Sequence, residues 1–127
     1  MPVQVQGFDH VVWNVADADS SARWYAEHLG CTVERLTDFR AGDALFLSVR
    51  IDDTTIIDLF EGPRSGVNAD HICVVVDPGT DLDAVAASGE FDVVMGPMRV
   101  WGAQGYGQGL YVSDLDGNTI ELRTYPT

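Results

Sequence analysis

The 127 residues include 7 Lys+Arg and 20 Asp+Glu, a formal net charge of −13, with 46% hydrophobic and 21% charged residues. That length holds one domain, or two small modules sharing one core, and the composition is globular rather than disordered. So acidic a chain is repelled by nucleic-acid phosphate and anionic membrane surfaces, no apolar run reaches the ~18 residues of a membrane span, and Met1–Gly7 lacks the blocks of a signal peptide.

Val11, Trp13 and Val15 alternate with His10, Val12 and Asn14, which predicts a strand with two unlike faces. A helix follows, capped by Asp17 or Asp19. It carries Ala22, Tyr25, Ala26 and Leu29 at helical spacing and stops at Gly30. Strands are expected over Cys31–Leu36, Ala44–Ile51 and Thr55–Phe60, and Gly62-Pro63-Arg64-Ser65-Gly66 has linker chemistry. Beyond it come a strand at His71–Val76 and a short helix over Leu82–Ser88, capped by Thr80 and closed by Gly89. Three more strands are expected at Phe91–Met95, Gly109–Ser113 and Thr119–Thr124, the last two joined through Asp114-Leu115-Asp116-Gly117-Asn118. Gly96–Gly107, rich in Gly and Pro around Trp101 and Tyr106, reads as a long irregular loop of the kind that serves as a lid.

These elements repeat. Phe8-Asp9-His10-Val11-Val12 resembles Ala69-Asp70-His71-Ile72-Cys73 at an offset of 61 residues, and Ile57-Asp58-Leu59 resembles Ile120-Glu121-Leu122 at an offset of 63. Two matches in the same order point to a βαβββ module present twice. The expected organisation is one domain over 1–127, with modules at about 8–62 and 69–125 and a linker at 63–68.

Strand parity locates the chemistry. The apolar sets Val11/Trp13/Val15 and Ile72/Val74/Val76 belong under the helices, which puts His10 and His71 on the opposite faces. Asp58 and Glu121 likewise oppose Ile57/Leu59 and Ile120/Leu122. Two imidazoles and two carboxylates thus occupy helix-free faces, and such groups, where they converge, suit a divalent Fe, Mn, Co, Ni or Zn ion with open positions for substrate. Two His with one carboxylate would give a facial triad, and a second carboxylate a four-ligand site for Lewis-acid chemistry. Asp58 is the candidate fourth ligand. One methylene shorter than Glu121, it is alternatively expected to fall short and contact solvent.

The chain resembles the vicinal oxygen chelate superfamily, which holds glyoxalase I, fosfomycin-resistance thiol transferases, bleomycin-resistance proteins and extradiol dioxygenases. The resemblance rests on Phe8-Asp9-His10-Val11-Val12, Trp24-Tyr25-Ala26-Glu27-His28-Leu29-Gly30, Ala69-Asp70-His71-Ile72, and the stretch Tyr111 to Leu122, where Leu115 stands in place of the usual Pro. It implies an α+β fold, with two βαβββ modules forming a cup-shaped, incompletely closed mixed β-barrel. It also implies a metal held by His10, His71 and Glu121, and a homodimer. Asp58 stands where members with a fourth ligand usually have Glu or Gln, which favours three protein ligands plus waters.

Asn14, Cys73 and Arg123 share faces with the presumed ligands, and Phe60, Trp101 and Tyr106 are expected to supply an aromatic wall, so these are the candidate substrate contacts. Glu121 and Tyr106 are the candidate catalytic groups; Tyr111 is a second candidate acid, though core packing is its expected role, and His28 reads as surface. The expected function is that of a metal-dependent enzyme chelating two adjacent oxygens of a small substrate, of the lyase/isomerase or dioxygenase kind. The alternative is a metal-free protein that sequesters an antibiotic or metabolite, as bleomycin-binding members do, and a scaffold with a vestigial site is the third reading. Two cysteines, Cys31 and Cys73, make no disulfide framework, and a cytoplasmic location is expected.

Overall fold

The computed structural model describes residues 3–115 and 117–127, so Asp116 of the expected Asp114–Asn118 turn, like Met1 and Pro2, lies outside the described residues. The chain runs β1 (Val5–Val15), α1 (Ala18–Leu29), β2 (Thr32–Glu34), α2 (Leu36–Arg40), β3 (Leu47–Asp52), β4 (Thr55–Glu61), β5 (Ala69–Val76), α3 (Leu82–Ala87), β6 (Asp92–Gly102), β7 (Gly105–Ser113) and β8 (Thr119–Thr124). The strands run in the order β2-β3-β4-β1 in one half of the chain and β5-β8-β7-β6 in the other, each set mixing parallel and antiparallel pairs. The chain gathers into two compact units, one of His10–Asp70 and one of Met1–Asp9 with His71–Thr127. Among the described residues, no helix is long and apolar enough to cross a membrane.

In the His10–Asp70 unit, β1 pairs with β4 in parallel, and β4–β3 and β3–β2 pair antiparallel. Asp17 caps α1 by accepting the Ser20 N–H at 3.1 Å, and Gly30 ends it in the left-handed conformation. The core consists of Ala18 and Ala22 against Leu47, Val49 and Leu59, with Trp13, Val15 and Ile57 packed beside them. The face expected under the helix is therefore the one that packs there. Leu29, expected on the helix's apolar face, remains exposed because α1 overruns the core by its last turn.

The strand expected at Cys31–Leu36 is cut to Thr32–Glu34. Arg35, at φ +67, turns the chain into α2, an element with no apolar period to announce it. Arg40 at the end of α2 holds Asp19 of α1 through Nε at 2.8 Å and Nη2 at 3.2 Å. Arg40, foremost by its hydrogen bonds, holds the Asp19 carboxyl below its usual range.

In the other unit, β5 and β8 pair in parallel, and β8–β7 and β7–β6 pair antiparallel. Helix α3 presses Leu82 and Val85 onto Val76, Leu110, Val112 and Leu122. Its cap is Asp81, whose carboxylate accepts the Ala84 N–H at 3.1 Å, in place of the expected Thr80. Its C-cap is Ser88, with Gly89 following at φ +78.

The largest departure from expectation is Gly96–Gly107. It is no loop: β6 and β7 pair through it, from Met98↔Gly109 to Gly102↔Gly105. Gly102 and Gly107 make room there rather than mobility. A Cβ on Gly102 would stand 2.5 Å from Arg123 Cζ and from the Tyr125 hydroxyl, and one on Gly107 would stand 2.4 Å from the Thr124 carbonyl oxygen. The short strands expected at Phe91–Met95 and Gly109–Ser113 are the open end of this hairpin.

Candidate functional site

His10 and Asp58 come together within the His10–Asp70 unit. Parallel pairing sets Val12 opposite Asp58, so the carboxylate lies one diagonal step from His10, on the same face. His10 Nε2 is 3.7 Å from Asp58 Oδ2, and both side chains are buried. Ser48, opposite Asp58 on β3, donates its hydroxyl to Oδ1 at 2.6 Å. The expectation that Asp58 contacts solvent is thereby overturned: it is only 1% exposed. Asn14 and Phe60 are paired on this same face, and Phe60 is exposed there.

The other unit repeats the relation. Cys73 lies opposite Glu121, so Glu121 stands one diagonal step from His71, with His71 Nε2 3.2 Å from Glu121 Oε1. Cys73 is buried, as is Glu121. Arg123, also buried, donates through Nε to Glu121 Oε2 at 3.0 Å and forms an ion pair with the same oxygen through Nη2 at 2.9 Å. Its remaining N–H groups meet the Val100 carbonyl at 3.0 Å and the Trp101 carbonyl at 2.9 Å. Burial is the largest single influence and works against the charge of Arg123, but Glu121 together with Cys73, Tyr125 and Asp9 outweighs it and raises the pKa above the ordinary value.

Tyr111 lies opposite Glu121 on β7, and its ring meets that of His71 edge-on at 5.2 Å. Burial above all, and then the charge of Glu121, pushes the Tyr111 hydroxyl well above the ordinary phenol range. The residue expected to be core packing is thus the phenol beside the histidine–carboxylate pair. Tyr106, expected in that role, is exposed, stacked under Arg99 at 3.7 Å, and pairs with Trp101 on the strand face that carries Leu110 and Leu122. The signal was in the sequence: apolar Leu110 and Val112 flank Tyr111, which parity assigns to the opposite face.

A second carboxylate that the sequence reading passed over is Asp9. It is buried, accepting the Ala103 N–H at 2.9 Å and the Tyr125 hydroxyl at 2.6 Å.

Each unit therefore holds one imidazole and one buried carboxylate on neighbouring parallel strands, at the same register. Two donors bound about 2.1 Å from one metal at a near-right angle lie about 3 Å apart. The His71–Glu121 spacing fits this, and the donor set, neutral imidazole with anionic oxygen, suits a divalent transition metal.

A family model described as the Glyoxalase/Bleomycin resistance protein/Dioxygenase superfamily matches residues 7–122. The chain belongs to that superfamily. A relative within reach by sequence is a virulence protein, STM3117, of Salmonella typhimurium, 26% identical over 124 residues that cover 95% of this chain and 85% of that one. A variant methylmalonyl-CoA epimerase of Streptomyces coelicolor, in complex with 2-nitronate-propionyl-CoA, has a TM-score of 0.71 at 19% identity, covering 98% of this chain and 100% of that one. A Mn(II)-bound glyoxalase of Novosphingobium aromaticivorans has a TM-score of 0.69 at 22% identity, covering 97% of this chain and 40% of that longer one. These structures share the superfamily's fold with this chain, whose members differ in the reaction they run.

Proposed function

We propose that this superfamily member is a metal-dependent enzyme that binds two adjacent oxygens of a small substrate and stabilises the oxyanion or enolate formed from it. His10, His71 and Glu121 would hold the ion, one of Fe, Mn, Ni, Co or Zn, with Asp58 the candidate fourth ligand. The observation that carries this reading is the repeated diagonal: His10 with Asp58 and His71 with Glu121, at equivalent register, each carboxylate buried. The Mn(II)-bound glyoxalase of the same fold supports it. A bound metal supplies Lewis-acid stabilisation of developing negative charge on oxygen.

The chain's own residues do the rest. Glu121 offers Oε1 while Arg123 occupies Oε2. Of the two candidate phenols we retain Tyr111 rather than Tyr106, because it lies opposite Glu121 with its ring against His71, where its hydroxyl can donate a hydrogen bond to a nascent oxyanion. Asn14 and Phe60, on the His10 face, and Cys73, opposite Glu121, are the substrate contacts we retain. Both a proton-shifting lyase/isomerase and an oxygen-inserting dioxygenase use this arrangement, and metal identity separates them. A homodimer is part of the proposal, supported by Val93, Val94 and Met95, exposed on edge strand β6.

The experiment is metal content by mass spectrometry on untagged protein purified without chelator, beside His10→Ala. Near-stoichiometric metal in the parent and its loss in the variant are expected. A parent that holds none, and takes up none of the five ions, removes the enzyme reading and leaves sequestration of a cationic antibiotic to be screened.

A further inference from the structure

We infer that Arg123 is a positioning residue that makes Glu121 a one-oxygen ligand, and that Gly102, Gly107 and Gly109 of the β6–β7 hairpin leave the room for it to do so. The inference rests on the proposed role of Glu121 and goes beyond it. Arg123 sits on β8, yet it donates to carbonyls of Val100 and Trp101 on β6, two strands away. To reach them the guanidinium must cross β7, where side chains would block its path. At Gly107 a Cβ would stand 3.3 Å from Nη1, at Gly102 2.5 Å from Cζ, and at Gly109 2.7 Å from Glu121 Oε2. The guanidinium passes Gly107 on β7 and seats against Gly102 on β6 because neither carries a side chain, and the bare Gly109 leaves room for the Glu121 carboxylate that it holds.

The result is a guanidinium fixed at its far end by backbone and aimed at its near end at one atom. Nε and Nη2 both converge on Oε2, which leaves Oε1 as the oxygen turned to His71. A carboxylate so held cannot rotate to offer both oxygens to one ion. Arg123 was the candidate for binding an anionic substrate group, but its donors are directed at Glu121 and the hairpin carbonyls. Lysine cannot reproduce this, since a single ammonium has no planar fork spanning a carboxylate and two carbonyls.

The test adds Mn(II) to the full chain after chelator treatment and follows free and bound ion by electron paramagnetic resonance. Parent, Arg123→Lys, Gly109→Ala and Glu121→Gln are compared, with circular dichroism to confirm folding. Arg123→Lys keeps the charge and loses the fork, while Gly109→Ala keeps Arg123 and displaces Oε2. Both are expected to weaken Mn(II) binding by about 10–100-fold, the usual cost of removing an outer support, and to alter the spectrum of the bound ion as the second oxygen becomes available. If Arg123→Lys does not fold, Gly109→Ala decides alone.

Folded variants that bind Mn(II) as tightly as the parent, with its spectrum, overturn the positioning role, and Glu121 stands as a ligand if Glu121→Gln loses binding. If Glu121→Gln binds like the parent, or the parent does not bind, the role of Glu121 fails and the inference fails with it.

Discussion

The Tyr125 hydroxyl donates to Asp9 Oδ1 at 2.6 Å, so a β8-flanking phenol holds the carboxylate that immediately precedes His10. Asp9 is buried, and its other oxygen takes the Ala103 N–H. Tyr125→Phe removes one donor from a buried carboxylate and puts nothing in its place. A loss of about 1–3 kcal/mol is expected, since a buried acceptor stripped of its partner bears its desolvation cost. Urea denaturation of the two proteins checks this through a shifted midpoint at constant slope.

The same pair sets the alkaline limit. Burial foremost, and then the bond to Asp9, raises the Tyr125 hydroxyl well above its ordinary value of 10.0. The folded chain thus binds this proton more tightly than the unfolded one. The stability it contributes is complete below pH 10 and is lost as the pH climbs from there toward the folded value. Tyr111, raised for a like reason, adds to the loss. Thermal melts between pH 8 and 12 are expected to show a declining midpoint above pH 10, less steep in Tyr125→Phe. A parallel decline in both proteins would remove Tyr125 from the account.

Glycine substitutions separate room from mobility in the β6–β7 hairpin. At Gly107 the obstacle to a Cβ is the Thr124 carbonyl at 2.4 Å, which is backbone and cannot step aside cheaply. At Gly66 a Cβ meets nothing within 4 Å. Gly107→Ala is expected to cost about 1–3 kcal/mol, the usual range for overpacking, and Gly66→Ala to be neutral. Had the segment been a mobile lid, both would be tolerated, and calorimetry on the two variants distinguishes the cases.

That hairpin is also where the sequence was hardest to read. Glycine density looks alike whether it serves flexibility or close approach, and only the long-range position of Arg123 decides between them. Likewise α2 follows a turn at Arg35, whose positive φ no local pattern betrays. What was legible was periodic or repeated. The alternation of Val11, Trp13 and Val15 against His10, Val12 and Asn14 fixed the faces of β1, and the offset of about 61 residues paired His10 with His71. Tyr106 drew attention through its Gly-rich setting, whereas parity alone places Tyr111 next to Glu121.

The two carboxylates of the repeat are not equivalent, and metal binding should show it. Glu121 brings Oε1 to 3.2 Å from its histidine, whereas Asp58, one methylene shorter, stands 3.7 Å from His10 with its other oxygen held by Ser48. On the three-ligand reading Asp58 supports His10 from outside the metal's coordination sphere. Asp58→Ala should then weaken metal binding by no more than about the 10–100-fold typical of such partners. Glu121→Ala, which deletes a donor, should weaken it further. Competition against a chromophoric chelator with zinc, on protein shown to be folded, measures both affinities. Equal losses in the two variants would make Asp58 a fourth ligand in its own right, and a Glu121→Ala protein that binds zinc like the parent would take Glu121 out of the site.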